Sequence, residues 1–285
     1  MFFPVLALGA ATLSLIHDAG PTYVVFWNIG PVGFSSGTIR VHVGQWDNSY
    51  LTRTVKVYTW DGSSWSNTSS YSMGNFDQAH GNFCDTDTSC AAFTHPSTGS
   101  IHRYSDAGAE TILTGPTDPL HTSGQSGRWA RRGNYFVAGS VSANFLYSWE
   151  LPTTTMADSL NVGYAHNSMT IIGTTLYAKR ASSTTIQTYG PLPDLTAGAV
   201  ITAPAANGYL FNANDQLYFV SQTAPYPVSR YTGGAWGTIL GTTNVDFATI
   251  TGSGSRGYYN QGAYVLSFPS ADSSGNMYKI SPVEV

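Results

Sequence analysis

Of the 285 residues, 12 are Lys or Arg and 16 are Asp or Glu, only 10% of the chain, against about 25% in an ordinary globular domain. The net charge of -4, with no basic run longer than Arg131-Arg132, excludes an extended nucleic-acid surface. Three Lys and three Glu beside 65 Ser and Thr and 30 Gly exclude a helical bundle, and a hydrophobic fraction of 42% excludes disorder.

The chain opens on an apolar run, residues 1–16 (MFFPVLALGAATLSLI). No Lys or Arg precedes it, Pro4 interrupts it, and it falls short of the roughly 20 residues of a membrane span. Strand and packing material is the expected role, not a cleaved leader. Next come strand-like runs at 23–28 (YVVFWN) and 38–43 (TIRVHV), then the segment VYTWDG at 57–62, which recurs in outline along the whole chain. Its copies are IHRYSD at 101–106, LYSWEL at 146–151, IQTYGP at 186–191, VSRYTG at 228–233 and MYKISP at 277–282. The anchors Trp60, Tyr104, Trp149, Tyr189, Tyr231 and Ile280 are spaced 44, 45, 40, 42 and 49 residues apart, a mean of 44.

Before each anchor stands a run rich in aromatic and β-branched residues: 38–43, CAAFT at 90–94, YFVAG at 135–139, TLYAK at 175–179, LYFVS at 217–221 and AYVLS at 263–267. Each unit therefore contains a hairpin. A third run precedes it, such as MTII at 169–172 or GYLF at 208–211, and a fourth stands earlier still, such as LNVGYA at 160–165 or VDFATI at 245–250. Four short strands in about 44 residues make the blade of a β-propeller, whose two apolar faces are buried only by radial stacking. Six such units use 264 residues and leave 21, matching the segment before Pro21. The expected architecture is all-β: a single domain over 1–285, a six-bladed propeller of four-stranded antiparallel blades, with residues 1–20 lending a closing strand to the last blade. A pair of β-sandwiches also suits short, closely spaced strands but requires no such period.

Cys84 and Cys90 are close enough to bridge a hairpin, yet one pair is no disulfide framework. Between them, Asp85, Asp87 and Ser89 have the alternate spacing of a calcium loop, but Cys90 and Pro96 stand where an EF-hand needs Gly and Glu. Turns such as 61–65 (DGSSW) and 233–236 (GGAW) place Gly where positive φ is needed and return an aromatic to the core. They match the sialidase Asp-box only in part. GSGSRG at 252–257 copies the dinucleotide fingerprint but is followed by strand and turn rather than a helix. No GxSxG elbow occurs, and Asn67-Thr68-Ser69 is a sequon expected to be plain loop.

Two groups are candidate sites. Arg128, Trp129, Arg131 and Arg132 form the local basic spot, suited to a phosphate or a sulfated sugar. His80, His121 and His166 each follow an apolar or small residue where an innermost strand is expected to end, as does His17 more loosely. Imidazoles at equivalent places on several blades would converge on the channel as ligands for zinc, copper or nickel. The alternative for each histidine is a hydrogen bond to a neighbouring loop, and no cofactor is otherwise expected.

The anchors and their hairpins resemble the six-bladed β-propeller class over residues 20 to 285, although the WD dipeptide, the kelch double glycine and the FG-GAP calcium loop are missing. Low Lys, abundant Ser, Thr, Gly and Tyr, and turns such as WDGSSW resemble accessory structural proteins of tailed bacteriophages. That resemblance implies a non-enzymatic capsid or tail component, located in the virion. Its partners would be other virion proteins and a host-surface glycan, with no nucleic acid and no membrane insertion. The alternatives are a sugar- or lactone-acting propeller hydrolase and a lectin-type carbohydrate-binding propeller.

Overall fold

The structure, a computed structural model, describes residues 13–17, 29–35, 38–46, 53–60, 65–73, 90–94, 101–105, 107–115, 129–140, 144–213, 215–225, 227–240, 258–261, 264–267 and 277–280. All regular structure among them is antiparallel β, in five four-stranded sheets and one three-stranded sheet. The first sheet runs β2 (Ile29–Ser35), β3 (Thr38–Trp46), β4 (Arg53–Trp60) and β5 (Trp65–Met73). The second has β6 (Cys90–Thr94), β7 (Ile101–Ser105) and β8 (Glu110–Leu113). β9 (Trp129–Arg132), β10 (Tyr135–Gly139), β11 (Phe145–Glu150) and β12 (Asp158–Asn161) form the third. The fourth holds β13 (His166–Ile172), β14 (Thr175–Arg180), β15 (Thr185–Tyr189) and β16 (Ala197–Thr202). In the fifth, β17 (Gly208–Ala213) is followed by β18 (Gln216–Ser221), β19 (Val228–Thr232) and β20 (Ala235–Leu240). The sixth takes β21 (Tyr258–Gln261), β22 (Tyr264–Ser267) and β23 (Met277–Ile280) and adds β1 (Leu13–His17) as its outer strand.

All six anchors occupy one rung of their ladders. Trp60 pairs with Ile39, Tyr104 with Ala91, Trp149 with Phe136, Tyr189 with Leu176, Tyr231 with Leu217 and Ile280 with Val265. In every case the partner is the second residue of the preceding strand. The period therefore has a simple origin: each unit repeats one hairpin in one register.

The order of strands within a unit differs from the sequence expectation. MTII and GYLF lie in the first strands β13 and β17, but LNVGYA does not precede them in the same sheet. Asp158–Asn161 completes the third sheet as its fourth strand, and residues 162–165 cross to the next sheet. Each sheet from the third to the fifth thus ends after its anchor. The runs at 23–28 and 245–250 lie outside the described residues.

The faces of these sheets explain why none stands alone. In β10, Phe136 and Ala138 pack with Ile101, Leu113 and Trp149 toward the second sheet, while Val137 packs with Leu146, Met169 and Ile171 toward the fourth. Alternation thus buries both faces of a strand between two neighbours, which a two-sheet sandwich does not do. Between the fourth and fifth sheets Ile186 meets Leu210, Leu217 and Phe219. First strands lie side by side in succession, β9 against β13, β13 against β17, β17 against β21 and β21 against β2. Polar contacts tie these seams: the Leu210 N–H donates to Ser168 Oγ at 2.8 Å, and Asn212 Nδ2 donates to the Ile171 carbonyl at 2.7 Å.

The glycine turn expected at 233–236 forms as such. Gly233 and Gly234 have φ of +61° and +89°, which l-residues with a Cβ rarely adopt. Trp236 returns against Phe219 and Tyr231, and its indole N–H donates to the Thr202 carbonyl of the preceding sheet at 2.7 Å.

Candidate functional site

At one end of the fourth sheet two connections meet, 162–165 entering β13 and 181–184 leaving β14. Their backbones are joined where the Ala181 N–H donates to the Ala165 carbonyl at 2.9 Å. Gly163, at φ +72°, donates its N–H to Asn161 Oδ1 at 2.9 Å and turns the chain toward Tyr164. The Tyr164 hydroxyl lies 3.1 Å from that of Tyr189, so one phenol donates to the other. Tyr189 is buried, and burial, with the bond to Tyr164 second, pushes its phenol well above the ordinary tyrosine range. His166, also buried, sets its ring edge-on to Tyr164 and Tyr189, with centroids 5.1 and 6.0 Å away. Arg180, opposite His166 in the ladder and exposed, places its Cζ 4.6 Å from the centre of the Tyr164 ring. That distance is within cation–π range.

One residue earlier, on the other face of β14, Lys179 is fully buried. Its Nζ donates to the Ala206 carbonyl at 2.5 Å and to the Arg180 carbonyl at 3.3 Å. Burial lowers its pKa to about 8, because a charged ammonium loses its water there and, among the described residues, no carboxylate pairs with it.

The opposite end of the same strands carries the hairpin turns. There the Arg132 guanidinium reaches from the end of β9 in the third sheet to Asp215 in the turn between β17 and β18 of the fifth. Both carboxylate oxygens are engaged, with Nη2 to Oδ2 at 2.7 Å. The bond joins the third sheet to the fifth, between residues 83 apart in sequence.

The residues singled out from the sequence are thus distributed unevenly. Arg132 is committed to Asp215. Arg131 pairs with Phe136 in the ladder between β9 and β10, Trp129 begins β9, and Arg128 lies outside the described residues. His166 is the first residue of β13 rather than the last residue of an innermost strand, and its ring faces two tyrosines. His80 and His121 lie outside the described residues. His17 ends β1, which pairs with β23 at the outer side of the sixth sheet, so it does not belong to the side-by-side first strands. Among the described residues no three His, Cys, Asp or Glu side chains come together as a metal site. Cys84, the 85–89 loop and the 252–257 glycines also lie outside the described residues, and the sequon residue Asn67 is on strand β5, not in a loop. No helix among the described residues is long and apolar enough to cross a membrane.

Sequence reading missed Tyr164, Lys179 and Arg180. The alternation of TLYAKR, with Leu176 and Ala178 turned to one seam, was the signal that Lys179 faces the other.

Four-stranded antiparallel sheets packed face to face are the architecture of propeller-like proteins, and solved structures of that class resemble this chain. A protein of unknown function from Bacteroides thetaiotaomicron superposes with a TM-score of 0.57 at 13% identity, over 95% of this chain and 76% of that one. Virginiamycin B lyase from Staphylococcus aureus, a propeller, gives 0.55 at 12% identity over 95% and 99%. A streptogramin B lyase gives 0.54 at 12% identity over 95% and 97%. No family model and no curated protein matches the sequence. The likeness is one of fold.

Proposed function

We propose that the six sheets are blades of one ring spanning residues 1–285, closed by β1, and that this ring is a non-enzymatic recognition and assembly module of a virus particle. The observation that carries this reading is that several of the described charged groups are spent between sheets. Arg132 and Asp215 tie the third sheet to the fifth, Asp158 accepts the Leu195 N–H at 2.7 Å between the third and fourth, and Lys179 is spent on two carbonyls. These groups hold sheets together. What remains for partners in this reading is a sparsely charged chain rich in Ser and Thr, the chemistry of adaptable polar contacts. Its partners in this reading are other particle proteins and a host-surface glycan, and it requires no metal.

Purification of the particle tests the proposal. The chain should be present in fixed stoichiometry and should bind glycans without cleaving them. A second reading, a propeller enzyme acting on sugars or lactones, draws support from the two lyases among the structural neighbours. Turnover of a glycan or lactone panel by purified protein would favour it over the first.

A further inference from the structure

We propose that Arg180, held over Tyr164, is a recognition point for a carboxylate-bearing sugar. The inference rests on the recognition reading above and names its ligand class. Arg180 is exposed, yet it is not loosely solvated, because its guanidinium sits over a ring that is itself fixed from behind. The Tyr164 hydroxyl meets the buried Tyr189 hydroxyl, and the edge of His166 closes another side. Among the described residues no carboxylate pairs with the Arg180 guanidinium and no acceptor takes a hydrogen bond from it. Arg132 shows the contrast, since its guanidinium is consumed by Asp215. An arginine placed over an aromatic ring keeps its planar fork of N–H donors available, and that fork matches a carboxylate with two parallel hydrogen bonds.

One neighbour strengthens the case. Ser182, the second residue beyond Arg180, is exposed and held at φ +50°, a conformation disfavoured for a residue with a Cβ. Its hydroxyl is available to the hydroxyls of a sugar. Phosphate would satisfy the same charge, but a single fork with flanking phenol and hydroxyl groups suits a carboxylate set on a polyhydroxylated ring.

The test uses the full chain with sialyllactose and a galacturonate trimer as acidic probes, lactose as the neutral probe, and calorimetry as the readout. Wild type should bind the acidic sugars at least about 10-fold more tightly than lactose, the range of one charge-assisted bidentate contact. R180Q should bring the acidic probes down to the lactose level, and R180K should recover only part of the loss. Sialyllactose methyl ester should bind wild type as weakly as lactose does, which tests the contact without altering the protein. Equal binding of ester and acid, or undiminished acid binding by R180Q, would overturn the proposal. Lactose bound as tightly as the acids, and equally by R180Q, would also overturn it while leaving the recognition reading in place. No binding of any sugar, in a protein absent from purified particles, would sink both.

Discussion

Lys179 shows most sharply how one residue's setting converts to a measurable quantity. Its pKa falls from 10.5 to about 8 because burial removes the water that would stabilise the ammonium. Between those values the unfolded chain binds a proton that the folded chain does not, so stability rises with pH across this window and is flat below it. At about 1.4 kcal/mol per pKa unit, wild type should gain about 3 kcal/mol relative to Lys179→Met between pH 8 and 10.5. Urea unfolding of both proteins at intervals through that range measures the difference, and taking the difference cancels the ionisation of the tyrosines common to both. Tyr189 gives a simpler case. Tyr189→Phe keeps the ring in the core but removes the hydroxyl facing Tyr164, and should cost about 1 kcal/mol in equilibrium unfolding. Neither residue's surroundings could be read from its own segment. IQTYGP announced an anchor, and Tyr189 is one, but nothing in that string pointed to Tyr164, 25 residues away.

Sheets are joined by contacts that a sheet cannot satisfy internally, and Ser168 is the clearest of these. It accepts the Leu210 N–H at 2.8 Å and lies within hydrogen-bonding distance of the Leu210 carbonyl at 3.3 Å, both buried. Ser168→Ala leaves a buried donor unmet and should lower stability by about 1–3 kcal/mol. Ser159→Ala, at an exposed site on β12, should stay within about 0.5 kcal/mol; chemical denaturation of the two variants side by side provides the check. Hairpins were the most legible elements because their signals are local: β-branched and aromatic runs, a turn, and an anchor at fixed distance. The fourth strand was misplaced because an outer strand such as DSLN or AGAVIT covers little apolar surface, and alternation is faint where one side faces water.

For the molecule as a whole the decisive pairing is β1 with β23, where Leu13 stands opposite Ile280 and Leu15 opposite Tyr278. If that pairing closes a ring, deleting residues 1–17 strips the outer strand from the sixth sheet and bares an edge that other chains can extend. The truncated protein should unfold at lower temperature and aggregate, as followed by thermal melting and light scattering, whereas an unchanged melting temperature would refute closure. The sequence by itself determined the all-β class, the 44-residue period and the anchor rung, because strand alternation and turn chemistry act over a few residues and are written where they act. Only the tertiary structure decided that Arg132 meets Asp215, that Lys179 is buried, and that Arg180 comes to lie over Tyr164. Such contacts join segments 16 to 83 residues apart in sequence. Their partners are chosen by how repeated units stack, a geometry to which no single segment holds the key.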